Sequence, residues 1–246
     1  ESESRGLGDV YKRQILLTTS MVASLHADAL LYEGFDYSAG ALAGQNGGTG
    51  FTTAWSSSGA GGDVVTAPGK TYSSGGDLDV VGNFTTVSNS GTAGSFRNFS
   101  TITAATSTTY WISMIASTSG IVPGSGNDAA SIEIRNASNV ELLSVGAFGS
   151  SANWRIRARS SNRATSGFSD AGDTSNSGTD AFLLIRVDVD TSGAGADNIY
   201  FWTDPTLGAE PTIVSAESSI TGTNFWDADE LSIRRIRSGV MKSGST

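Results

Sequence analysis

The sequence predicts an all-β protein, folded as a two-sheet antiparallel sandwich. Apolar residues alternate over short runs, Gly/Ser/Asn/Asp clusters separate those runs, and no longer segment keeps a helical 3.6-residue period. Composition agrees, with 31 glycines in 246 residues and 38% hydrophobic residues. Eleven or so strands must close or stack to hide their edges, and two stacked sheets are the usual solution at this length. A chain of this size hides roughly 70–75% of its unfolded surface. The absence of cysteine is therefore tolerable in any compartment.

Taken in order, the expected strands are ALLYEGF (29–35), FTTAWS (51–56), DVVTA (63–67), GSFRNFS (94–100) and TTYWISMIAS (108–117). ASIEIRN (130–136), VELLSVGAF (140–148), NWRIRARS (153–160), AFLLIRVDVD (181–190), NIYFWTD (198–204) and ELSIRRIRS (230–238) follow. AFLLIRV is apolar on both pleat faces, so it should be a central strand covered on both sides. SIEIRN and NWRIRAR alternate cleanly, so each should keep one wet face. Segments 118–129 and 161–180 are rich in Ser, Gly, Asn and Asp and read as turns or rim loops.

The N-terminus reads as non-domain. Residues 6–14, GLGDVYKRQ, resemble a translated sequencing adapter, which makes residues 1–14 non-native. Residues 15–29, ILLTTSMVASLHADA, look like the remnant of an export signal: an apolar run ending in small residues at Ala27 and Ala29. The domain should then span 30–246, with a mature N-terminus at Leu30 and residues 1–29 packing poorly against it.

Net charge is −9, and without residues 1–29 it is −8, from 20 acids and 12 bases. An acidic balance argues against nucleic acid and anionic membrane as partners, since both need a basic footprint. No apolar run approaches the ~18–20 residues of a membrane span.

LLYEGFDYSAGALAGQNGGTGF, SANWRIR and AFLLIRVDVDTSGAGADNIYFWTDPTLGAEP occur in that order between Leu30 and Gly239. They resemble exported bacterial concanavalin A-like (LamG-like) jelly-roll modules, of the kind found in proteins with Pro-Glu-Pro C-terminal sorting signals. The resemblance implies a jelly-roll form of the sandwich, export, a place in secretion or at the cell surface, and carbohydrate as ligand class. It carries no catalytic residues to transfer. In similar modules a further short strand follows the one matching ELSIRRIRSG, so the final strand is expected to be missing here. Residues 29–35 would then present an unpaired apolar edge.

Chemistry-bearing residues are few. The only histidine is His26, inside the signal-like segment, and there is no cysteine. That removes Ser-His-Asp and Cys-His nucleophilic catalysis from the domain, along with His/Cys zinc sites. Glycoside hydrolysis needs only two carboxylates. However, neither Glu133 nor Glu141 begins the E-x-D-x-x-E run common in hydrolases of this fold. WDADE (226–230) groups Asp227, Asp229 and Glu230, at a spacing that suits a turn entering a strand.

Arg155, Arg157 and Arg159 alternate along NWRIRAR, so a regular strand sets all three on one face, with Trp154, Ile156 and Ala158 facing the core. Such a stripe can clamp sulfated or uronate-containing glycans through charge-assisted hydrogen bonds. The commoner reading of such a stripe is an ordinary solvated face paired with nearby acids. DVDTSGAGADN (188–198) offers Asp188, Asp190, Ser192 and Asp197 as oxygen donors for calcium, which LamG-like modules often hold at a rim. The bidentate acid of an EF-hand loop would fall at Ile199, and a plain hairpin loop explains the composition as well. Of the five tryptophans, most should be core.

The expectation is an exported, non-catalytic binding or surface-matrix module, associated with polysaccharide or cell-surface glycan and requiring no cofactor. Its alternatives are a polysaccharide-cleaving hydrolase or lyase on the same fold, and a purely structural spacer of a surface protein.

Overall fold

The computed structural model describes residues 18–19, 29–58, 63–72, 78, 82–86, 93–102, 107–117, 129–136, 139, 141–148, 153–159, 166–175, 180–190, 197–223 and 233–241. The described strands are β1 Thr18–Thr19, β2 Gly40–Ala41, β3 Ser56–Ser58, β4 Val64–Thr66, β5 Phe84–Thr86, β6 Ala93–Ile102, β7 Thr108–Ala116 and β8 Ala129–Asn136. They continue with β9 Glu141–Phe148, β10 Asn153–Arg159, β11 Ser166–Ser175, β12 Ala181–Val189, β13 Asp197–Thr203, β14 Ser218–Thr223 and β15 Ile233–Met241. One 3-10 turn, Ile213–Ser215, is the described helical element.

A seven-stranded sheet, in the order β11-β10-β9-β8-β15-β6-β3, stacks on a five-stranded sheet, β1-β7-β12-β13-β14, and a small sheet β2-β4-β5 lies beside them. Every ladder is antiparallel. The chain passes between the two large sheets after β6, β7, β11 and β14. The result is an all-β antiparallel sandwich with jelly-roll crossovers. No helix among the described residues is long and apolar enough to cross a membrane.

Burial explains the stacking. Ile112, Leu183, Ile185, Val187, Ile199 and Phe201 of the smaller sheet meet Ile134, Leu143, Val145, Trp154 and Ile156 of the larger one in a single core. Each such fully buried side chain stabilises the fold by about 1.5–3 kcal/mol relative to exposure. β12 is the central strand that AFLLIRV predicts, flanked by β7 and β13. Its other face is covered as well, because Phe182 and Leu184 join Tyr72, Leu78 and Trp202 in a second apolar cluster.

Several expectations are corrected. Residues 29–35 form no strand: Tyr32 makes one isolated bridge, exchanging both backbone hydrogen bonds with Thr49. FTTAWS is likewise irregular up to Ser56, with Phe51 bridged to Phe99. Residues 166–175, expected in a rim loop, form the edge strand β11 along β10, and their Ser/Gly/Asp content suits an edge exposed to water. The strand within ELSIRRIRS lies inside its sheet, paired with β6 on one side and β8 on the other. Thr18 and Thr19 of the signal-like segment pair with Trp111 and Tyr110 along the edge of β7.

What holds residues 29–55 is a buried ion pair. Arg97 Nη1 donates to Glu33 Oε2 at 2.5 Å, and each side chain is 1% exposed. Trp55 Nε1 and the Tyr37 hydroxyl donate to the same oxygen (2.9 and 3.0 Å), and the Phe35 N–H donates to Glu33 Oε1 (2.9 Å). The guanidinium also reaches the carbonyls of Gly47 and Thr53 and the side chain of Asn46, and it lies 3.9 Å from the Phe51 ring centroid. Loops meet backbone to backbone around it. At Gly82, with φ +89°, a Cβ would stand 2.0 Å from the Gly34 carbonyl oxygen.

Among the described residues the core begins at Leu31. A chain starting at Leu30 should accordingly keep its fold and lose, among the described strands, only the two-residue edge strand β1. Thermal unfolding of both forms checks this: a shift within about 2 °C is expected, and collapse of the cooperative transition would show that residues 1–29 belong to the domain.

Candidate functional site

The candidate site is the face of the seven-stranded sheet that points away from the core. Along β10, Trp154, Ile156 and Ala158 are buried in the core, as the alternation predicts, while Arg155 and Arg157 are half-buried on the other face. The side chain of Arg159 lies outside the described ones. Register carries the row across the sheet: Arg157 is opposite Ser144, Ser144 opposite Glu133, and Glu133 opposite Arg237. Arg135 is opposite Arg235. Among the described side chains, Arg135, Arg155 and Arg157 share this face with Glu133 and Glu141.

The face is packed rather than wet, which corrects the expectation for SIEIRN. Glu133 is 3% exposed and Ser144 is fully buried. Long guanidinium side chains lying over the sheet can cover the short polar residues between them. Arg135 donates from Nε to Glu133 Oε2 (2.7 Å), pairs with it again through Nη2, and reaches the Asn139 carbonyl (2.7 Å). That role is structural: it ties the turn between β8 and β9.

Arg157 donates to Glu141 Oε1 from Nε (2.9 Å) and Nη2 (2.7 Å), and Ser144 hydrogen-bonds the same oxygen. A register shift near Arg135 brings Glu141 there. The irregularity lets both Leu142 and Leu143 join the core while Glu141 meets Arg157. The stripe is therefore partly acid-paired, one of its two expected forms, and Glu141 holds the Arg157 fork in a fixed orientation. Sequence reasoning passed over Glu141 as a partner, because only the bulge puts it beside β10.

The calcium candidates Asp188, Asp190 and Asp197 each make contacts within the protein, and Ser192 lies outside the described residues. Asp188 accepts from Arg186 Nε (2.9 Å) and from the Thr109 hydroxyl (2.6 Å). Asp190 accepts from Ser107 (3.3 Å), and buried Asp197 accepts the Asp190 N–H (2.8 Å). Among the described residues no group of three or more His, Cys, Asp or Glu comes together to hold a metal ion. WDADE and Trp226 lie outside the described residues. Trp55, Trp154 and Trp202 are buried, whereas Trp111 is half-buried.

On the other sheet, the loop after β13 carries Glu217. Although its surface is exposed, partial desolvation of the carboxyl raises it above the ordinary range, and the Asp204 charge adds to this. The fold favours the neutral form, so this group's contribution is retained at low pH and lost as pH rises through its raised pKa. Glu217→Gln should raise the melting temperature slightly at pH 7, with the difference vanishing below about pH 4. Melting curves across pH check it, and equal curves at pH 7 would contradict it.

No family model matches the chain, and no curated protein sequence matches it. Among solved structures it is similar to an endo-β-1,4-glucuronan lyase from the fungus Trichoderma reesei, at 8% identity and a TM-score of 0.47, over 84% of this chain and 88% of that one. It is also similar to the receptor-binding domain of botulinum neurotoxin type G, at 12% identity and a TM-score of 0.35, over 82% of this chain and 45% of that one. The class of the chain, an all-β antiparallel sandwich, follows from its own sheet topology.

Proposed function

We propose that the chain is an exported, non-catalytic binding module for anionic polysaccharide, secreted or held at the cell surface as the resemblance to exported jelly-roll modules implies. The observation that carries the reading is the arginine row of this face, Arg155 and Arg157 beside Arg135, within an acidic protein. Guanidinium forks match carboxylate and sulfate oxygens in pairs, and Glu141 pre-orients one of them. Pre-orientation lowers the ordering cost of binding. A repulsive remainder of the surface would confine a polyanion to this face.

Affinity electrophoresis tests it. The chain should be retarded in gels containing polygalacturonate or heparin, and the retardation should weaken with added salt. Incubation with either polymer should yield no new reducing ends and no unsaturated products. Absence of retardation in both gels would reject the binding reading, and product formation would make the chain an enzyme.

A further inference from the structure

We propose that the outer face of the five-stranded sheet holds a second binding site, for an uncharged β-linked polysaccharide, built on Trp111, Arg186 and Tyr200. These three are direct register partners on β7, β12 and β13, so they form one row across the sheet. The row lies on the opposite side of the sandwich from the arginine face and is independent of it.

The aromatic rings are fixed by a buried neighbour on the same face. Trp202 is 3% exposed, stacks on Trp111 with centroids 5.9 Å apart and planes at 29°, and contacts Tyr200 at 6.4 Å. Trp111 and Tyr200 themselves are half-buried, each keeping part of its surface toward solvent. Two strand spacings separate their strands, about 9.5 Å. That strand spacing is close to the repeat of two sugar residues in an extended β-linked chain, and Trp202, within 5.9 and 6.4 Å of the two rings, fills the surface between them.

Polar groups complete the row. The Arg186 guanidinium lies 5.6 Å from the Trp111 centroid. Its Nε donates to Asp188 (2.9 and 3.2 Å) and its Nη1 to Glu210 (3.1 Å), whose side chain is 60% exposed. These are planar, fixed hydrogen-bonding groups of the kind that bridge neighbouring hydroxyls. One cation faces two carboxylates, so the row has no positive excess to attract a polyanion. This charge balance selects an uncharged ligand here, in contrast to the arginine face.

The test is affinity electrophoresis in gels containing hydroxyethylcellulose or glucomannan, with polygalacturonate gels as the parallel arm. Wild type should be retarded in at least one neutral gel, and Trp111→Ala and Tyr200→Ala should each weaken that by about tenfold. Near-ultraviolet circular dichroism and melting curves report whether each variant is folded. Should Trp111→Ala unfold, Tyr200→Ala and Arg186→Ala carry the test. Tyr200→Ala should leave retardation by polygalacturonate unchanged, which separates the two sites. Unretarded migration of wild type in both neutral gels, or wild-type affinity in folded Tyr200→Ala and Arg186→Ala, would overturn the proposal.

Discussion

Replacing Arg97 by methionine should cost the domain about 3–5 kcal/mol, because the Glu33 carboxylate would remain buried without its counter-charge. At this chain length the loss corresponds to roughly 6–20 °C in melting temperature. The double variant Arg97→Met, Glu33→Gln should recover part of it, since removing both charges also removes the desolvation penalty. Hydrogen exchange should then show residues 29–55 opening first, as their contacts converge on this pair. A single variant that melts within about 2 °C of wild type would contradict the structural role of the pair.

That pair marks the limit of what the sequence made legible. AFLLIRV announced a central strand by being apolar on both faces, and β12 is buried from Ala181 through Ile185. NWRIRAR announced its core face correctly at Trp154, Ile156 and Ala158. Both are local patterns with a period of two. Glu33 and Arg97 stand 64 positions apart in irregular and strand segments, and nothing in their neighbourhoods sets them apart from surface charges. ALLYEGF has strand composition, yet it is held by side-chain bonds to Glu33 and close backbone approaches rather than by a ladder. In β11 the case is reversed. Its Ser/Gly/Asp content reads as loop, and only the open edge of β10 makes it a strand.

The candidate site was half legible for the same reason. Alternation placed Arg155 and Arg157 together, whereas the acids that pair across the face depend on register and on one bulge. SIEIRN showed its polar face, but the burial of Glu133 there is a property of the assembled sheet.

Polyanion binding through that face carries the second large expected effect. Hydrogen bonds to charged groups contribute about 1.5–3 kcal/mol each, so losing one arginine should weaken binding about tenfold to hundredfold. Arg155→Ala removes a guanidinium outright. Arg157→Lys keeps a cation beside Glu141 but loses the planar fork, so it should weaken binding while leaving the fold intact. The decisive measurement is calorimetric titration of wild type, Arg155→Ala and Arg157→Lys with oligogalacturonate at two salt concentrations. Wild type should bind more weakly at high salt, and both variants should lose about tenfold or more at low salt while melting curves show each to be folded. Equal affinity of the three folded proteins, or no heat of binding from wild type at low salt, would contradict the assignment of this face as the binding site.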